Sequence, residues 1–211
     1  MPRQRNITQE TRTYIWNHPS VRDCLARGLI NHSALARQIC DELAIKSFDA
    51  VLAAAKRVTA PNPQPLEKQI KRLINEAQVS VTNKIAVVVI SPPQDFERVL
   101  LLQKNIRRAR GRFNMIDGGE VVTIVLSEQH LGTVRASLKN FIRAVVTGLA
   151  QIHIIFDERI ETTPGVVAHF YGLLAHHGVN VREEMSCWTD LILIVDERDV
   201  AKALEVCGQR R

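Results

Sequence analysis

The chain has 211 residues, 45% of them hydrophobic and 24% charged, with a formal net charge of +6, the balance of a globular protein able to form one large domain or two to three small ones. No run reaches the length of a membrane span, and Met1-Pro2-Arg3-Gln4-Arg5 leads into no apolar signal core, so a cytoplasmic location and no membrane partner are expected. Cys24, Cys40, Cys187 and Cys207 form no CxxC pair, which leaves neither a disulfide framework nor a zinc site.

In chain order, residues 8–29 read as helix interrupted at Pro19, with Tyr14, Ile15, Val21, Leu25 and Leu29 at its apolar positions. Ser33 then stands as N-cap before a helix in which Leu35, Ile39 and Leu43 share one face. The turn Ala44-Ile45-Lys46-Ser47 leads to a second helix over 48–58, with Val51, Leu52 and Ala55 inward, and the small Ala36 lets the two helices cross closely. Residues 33–58 thereby resemble a helix-turn-helix of the winged type. That resemblance implies a second helix in the major groove of duplex DNA, with Lys46, Ser47, Lys56 and Arg57 on phosphates, while Asp49 and the alanines offer little base-edge chemistry. A helical bundle that mediates association is the other reading of the same residues. Arg3, Arg5 and Arg12 either add phosphate contacts or are simply solvated.

Thr59-Ala60-Pro61-Asn62-Pro63-Gln64-Pro65 is a stiff linker, and Pro65 opens a helix over 66–76 whose Leu66, Ile70, Leu73 and Ile74 form a narrow apolar stripe suited to packing. Val79 and Val81 make a wing-like strand, or with Thr82-Asn83 a loop. A strand over 85–90 precedes a helix over 95–107 with Phe96, Val99, Leu100 and Leu102 apolar. The run Arg107-Arg108-Ala109-Arg110-Gly111-Arg112 is the densest basic one, read as a solvated loop in preference to a nucleic-acid contact. A strand over 112–116, a hairpin at Asp117-Gly118-Gly119, a strand over 121–126, a helix over 128–138 and a closing strand over 141–146 complete the middle segment.

Residues 151–156 alternate as a buried strand. Thr163-Pro164-Gly165-Val166 follows, with Pro164 expected in the first turn of a helix that carries Val166, Val167, Phe170, Leu173 and Leu174 until Gly178 stops it. Asn180-Val181 opens a strand to Trp188, a turn at Thr189-Asp190 leads to a strand over 191–195, and a helix spans 199–206. These pieces resemble an ACT domain, the ferredoxin-like amino-acid-sensing module, over about a quarter of the chain. The resemblance implies a ligand at Thr162, Thr163, Gly165, Val166, Asn180 and Val181, although many ACT domains carry Asp or Asn where this chain has Thr162.

Residues 84–150 overlay on 151–207 at a period of about 66 residues, which makes a tandem pair. The first copy has Ser91-Pro92-Pro93-Gln94 in place of the Pro-Gly loop and is expected to be structural or to complete a neighbouring site. Gly208-Gln209-Arg210-Arg211 offers the second copy no closing strand, so one is shared between copies or between subunits, and a homodimer is expected. The expected class is α+β: a helix-turn-helix-like domain at 1–60, a proline-rich linker and helix at 61–83, a degenerate ACT-like βαββαβ domain at 84–150 and an ACT domain at 151–211.

Residues 1–150 carry 22 Lys+Arg against 12 Asp+Glu, a net of +10, and residues 151–211 carry 6 against 10, a net of −4; an anionic partner would meet the first part. His169 and His176 share a helix face, but no Asp, Glu or Cys completes a ligand set, so no metal is expected. Without a Walker loop, GxSxG elbow or GxGxxG sequence there is no catalytic candidate, and no cofactor and no enzymatic activity are expected. The reading is an amino-acid- or metabolite-responsive DNA-binding transcriptional regulator, with the effector bound at the C-terminal module. The alternative is a regulatory subunit that binds no DNA and gives feedback control to an amino-acid-biosynthetic enzyme.

Overall fold

A computed structural model describes residues 6–60, 64–93 and 96–207. Arg3, Arg5, Gln94, Asp95, the linker residues 61–63 and the C-terminal residues 208–211 lie outside the described residues. The chain divides into two compact units, Met1–Lys68 and Gln69–Arg211.

The first unit is built from α1 (Ile7–Asn17), α2 (Pro19–Ala26), α3 (His32–Glu42) and α4 (Phe48–Arg57). Asn6 caps α1 by accepting from the Gln9 amide, 3.1 Å, and Pro19 opens α2, where its missing N–H costs nothing. The cap of α3 is Asn31, which accepts from the Ser33 and Ala34 amides at 3.0 and 3.1 Å, and not Ser33. A cap must precede the helix by one residue and reach the second and third free amides, and Asn31 does both. Ala44 turns the chain with φ +50°. Tyr14, Ile15, Leu35, Ala36, Ile39, Val51 and Ala55 close the core, and Ala36 and Ala55, both fully buried, keep side-chain bulk out of the helix contacts.

The second unit is an antiparallel six-stranded sheet of order β2-β3-β1-β4-β6-β5. Its elements are β1 (Gln78–Ile90), α6 (Glu97–Arg108), β2 (Phe113–Asp117), β3 (Val122–Ser127), α7 (Leu131–Leu138), β4 (Ile142–Ile155), α8 (Val166–His176), β5 (Val181–Cys187), β6 (Asp190–Asp196) and α9 (Val200–Val206). They are preceded by α5 (Gln64–Glu76), which crosses the boundary between the units.

The sequence predicts separate strands at 141–146 and 151–156, whereas the structure has one strand, β4, pairing with β1 over the length of both. Residues 85–90 of β1, α6, β2, β3, α7 and the first half of β4 form one βαββαβ set in the order β2-β3-β1-β4. The second half of β4, α8, β5, β6 and α9 form the other, and its closing strand is residues 78–82 of β1, paired with 151–155. Val79 and Val81, read as a wing or a loop, thus belong to the central sheet. Each set is completed by the extension of the other's first strand.

The crossing point carries a bulge on each strand: Lys84 has φ +59° and Gly148 φ +70°, and the register shifts beside both. An extra residue inverts the alternation of a strand. Val79 and Ile154 therefore face the same side as Ala86, Val88 and Ile90, and all the helices of the unit pack there. The opposite face buries Ile85, Val87, Val125, Leu149 and Ile194, joined by Met185 and Ile192. Among the described residues no helix of the unit contributes to this cluster; the twisted, twice-bulged sheet rolls over it, bringing the edge strands β2 and β5 to line one cleft.

Candidate effector site

The chain leaves β4 at Phe156, which packs edge-on against Phe170, centroids 5.7 Å apart. Asp157 caps a single 3₁₀ turn, Glu158–Thr162. Its carboxylate accepts from the Arg159 amide at 3.0 Å and from Arg159 Nε at 2.6 Å. Those bonds hold the Asp157 carboxyl below its ordinary range, and they raise Arg159 further above its own. The other end of the guanidinium reaches Glu76 of α5, Nη2 to Oε2 2.6 Å.

Thr162 and Thr163 both turn their hydroxyls to the Arg159 carbonyl, at 3.3 and 2.7 Å. Thr163 is 4% exposed and its Oγ1 also accepts from Gln69 Nε2, 2.9 Å. Pro164 lies before α8 and not in its first turn; Gly165 is the N-cap, with φ +86°. The glycine is therefore required for a left-handed backbone, which side chains disfavour. A Cβ there would sit 3.8 Å from Ile70 Cδ1, an ordinary contact. Val166 is buried in the core with Phe170 and Leu174.

The loop is consequently a packed joint between β4, α5 and α8. Of its members predicted to bind ligand, Thr162 and Gly165 are exposed and Thr163 and Val166 are buried. Asn180 and Val181 are not brought to it. They follow the C-terminal end of α8, whose 11 residues separate them from Gly165 by roughly 16 Å of helix rise. Gln69 and Glu76, which fasten the loop, carry no signal in the sequence, because their role depends on where α5 packs.

On the first unit, Lys46 and Ser47 are exposed before α4, and Lys56 and Arg57 are exposed in its last turn. Ser47 is the N-cap residue but makes no side-chain cap bond. A helix of ten residues separates the two pairs, with the exposed Asp49 and Ala53 between them. In the basic run, read as a loop, Arg107 and Arg108 belong to the last turn of α6; Arg107 donates to the Phe113 carbonyl (3.3 Å), and it, Arg108, Arg110 and Arg112 are all exposed. His176 and His177 pair through Nδ1 with the Gly172 and Leu173 carbonyls at 2.7 and 2.8 Å. Among the described residues no group of three or more His, Cys, Asp or Glu is placed to hold a metal, and no helix is long and apolar enough to cross a membrane.

No protein-family model and no curated protein sequence matches the chain. Among solved structures it is similar to the aspartate kinase of Clostridium acetobutylicum, with a TM-score of 0.51 and 14% identity, over 61% of this chain and 33% of that one. It is also similar to the regulatory subunit of aspartate kinase from Thermus thermophilus, TM-score 0.49 and 14% identity, over 62% of this chain and 94% of that one. A third is a C-terminal regulatory domain of aspartate kinase from Porphyromonas gingivalis, TM-score 0.49 and 15% identity, over 64% and 96%. At these identities the likeness to the Clostridium enzyme establishes a common fold, mixed α and β on an antiparallel sheet, and this chain spans about a third of that enzyme's length.

Proposed function

We propose that the chain is a regulatory protein, not an enzyme, whose strand-sharing ACT-like pair binds a small metabolite of the amino-acid class and changes the activity of a protein partner, an enzyme of amino-acid biosynthesis. The observation that carries this reading is the tandem fold itself, the one met in an allosteric aspartate kinase. An effector acts by binding one of two arrangements more tightly, and a typical coupling of about 1–3 kcal/mol changes partner affinity about 5- to 150-fold.

A DNA-binding regulator is the second reading, favoured by the exposed Lys46, Lys56 and Arg57 around the α3–α4 pair. It stands behind the first because the exposed residues of α4 include Asp49 and Ala53 beside its two cations, a surface with little to offer a base edge.

The test is a thermal-shift screen of the full chain against the twenty amino acids, followed by affinity capture from a lysate and titration with mixed duplex DNA at 50 and 200 mM salt. A stabilising amino acid and a captured biosynthetic enzyme whose activity it changes support the first reading. Duplex binding that falls steeply with salt moves the conclusion to the second. If no amino acid raises the melting temperature, the sensor reading fails.

A further inference from the structure

The Thr163 loop is closed by its own chain, since the hydroxyl is engaged by Gln69 and Arg159, Val166 is 2% exposed and Ile70 lies over Gly165. The open recess of this unit lies elsewhere. Rolling of the sheet leaves a cleft of about 620 Å³ between the edge strands β2 and β5, flanked by the C-terminal half of α6. That volume falls in the range of small-molecule sites.

Its lining combines three kinds of group. Arg107 supplies a guanidinium, turned toward β2 by its bond to the Phe113 carbonyl. Asp117 and Glu184 supply carboxylates from β2 and β5 on the helix face of the sheet, where Met115 also lies, and Met185 and Ile192 supply apolar surface from the opposite face. A guanidinium matches a carboxylate with two parallel hydrogen bonds, and carboxylates on the two edge strands match an ammonium. One cation against two anions leaves the lining net negative, which disfavours a ligand of net negative charge.

We infer that the effector site is this cleft between β2 and β5, and that its ligand is an α-amino acid with an uncharged aliphatic side chain, its carboxylate on Arg107, its ammonium on Glu184 and Asp117, and its side chain reaching between the two edge strands onto Met185 and Ile192. The inference rests on the effector-sensing reading and adds the place and the ligand class. It gives the first arginine of the basic run a task that a solvated loop does not have. It also means that the effector touches both edge strands, and so both βαββαβ sets, at once.

The experiment is calorimetric titration of the full chain with L-leucine and L-glutamate, repeated on Arg107→Met, Glu184→Gln and the loop variant Thr162→Ala, with circular dichroism to verify folding. Expected is leucine binding to the unaltered protein, no glutamate binding, a loss of tenfold or more in each of the two cleft variants and less than a twofold change in Thr162→Ala. Leucine binding that survives both cleft variants but is lost in Thr162→Ala overturns the assignment and leaves the sensor reading standing. Glutamate binding as tight as leucine overturns the ligand class. No binding of either, when another amino acid stabilises the protein in the screen, overturns it as well; a screen with no hit at all removes the sensor reading beneath it.

Discussion

Replacing Gly165 by alanine separates a backbone requirement from a steric one. The residue sits at φ +86°, ψ 2° as the N-cap of α8, a conformation that costs an L side chain roughly 1–2 kcal/mol. No clash adds to this, because the new Cβ would meet only Ile70 Cδ1 at 3.8 Å. Alanine is also a poorer N-cap than glycine, so the cap effect has the same sign. For a unit of roughly 140 residues, each kcal/mol moves the melting temperature by about 2–4 °C, so a fall of about 2–8 °C is expected by differential scanning calorimetry. Gly165→Asn is expected to lose less, as asparagine tolerates the left-handed region. Were the residue instead at negative φ, alanine would stabilise by about 0.4–1 kcal/mol through the unfolded chain. An unchanged or higher melting temperature in Gly165→Ala therefore refutes the left-handed cap.

Gly111→Ala places a Cβ 2.5 Å from His130 Nε2 and 2.7 Å from Ile106 Cγ2; a loss of about 1–3 kcal/mol is expected in urea unfolding, partly recovered in combination with His130→Ala. Leu149→Ala removes a fully buried side chain from the sheet face without a helix and should cost about 2–5 kcal/mol, whereas a loss below about 0.5 kcal/mol means that the sheet does not roll over that face. Burial pushes the Cys207 thiol from 9.0 up to about 11. Its folded pKa is raised, so its contribution is whole below pH 9 and is lost as pH rises toward 11, a change of about 2–3 kcal/mol. Comparison of Cys207→Ala with the unaltered chain over that window should show a shallower alkaline decline, and equal declines count against a buried thiol.

Elements governed by local pattern were legible in the sequence. The helix of residues 166–176 and the turn at Gly178 follow from periodicity and from glycine; the β5–β6 hairpin was expected with its turn at Thr189-Asp190, but Asp190 already belongs to β6 and the turn is Trp188–Thr189, with Trp188 at φ +50°. The pairing of 78–82 with 151–155 was not, because Gln78, Ser80 and Thr82 give that segment the alternation of a half-exposed strand while naming no partner. Neither was the bulge at Lys84, since lysine seldom takes positive φ and nothing local announces it. Ser33 and Asn31 are equally good caps by type, and geometry decided between them. At the site, the Thr-Pro-Gly loop was found where the motif put it, but its closure by Gln69 and Glu76, and the distance to Asn180, depend on packing. The cleft between β2 and β5 exists only once the sheet is rolled, so no spacing in the sequence displays it.

The exchange of strands at the centre of the sheet also sets a schedule for synthesis. Residues 78–82 leave the ribosome long before residues 151–155, their partners on β4. At about 5–20 residues per second, the interval of roughly 70 residues lasts about 4–14 s. Through that time the segment is an unpaired edge, the kind of surface on which chains associate wrongly. Its polar Gln78, Ser80 and Thr82 are suited to the wait: they leave one side of the nascent strand wettable until β4 is made.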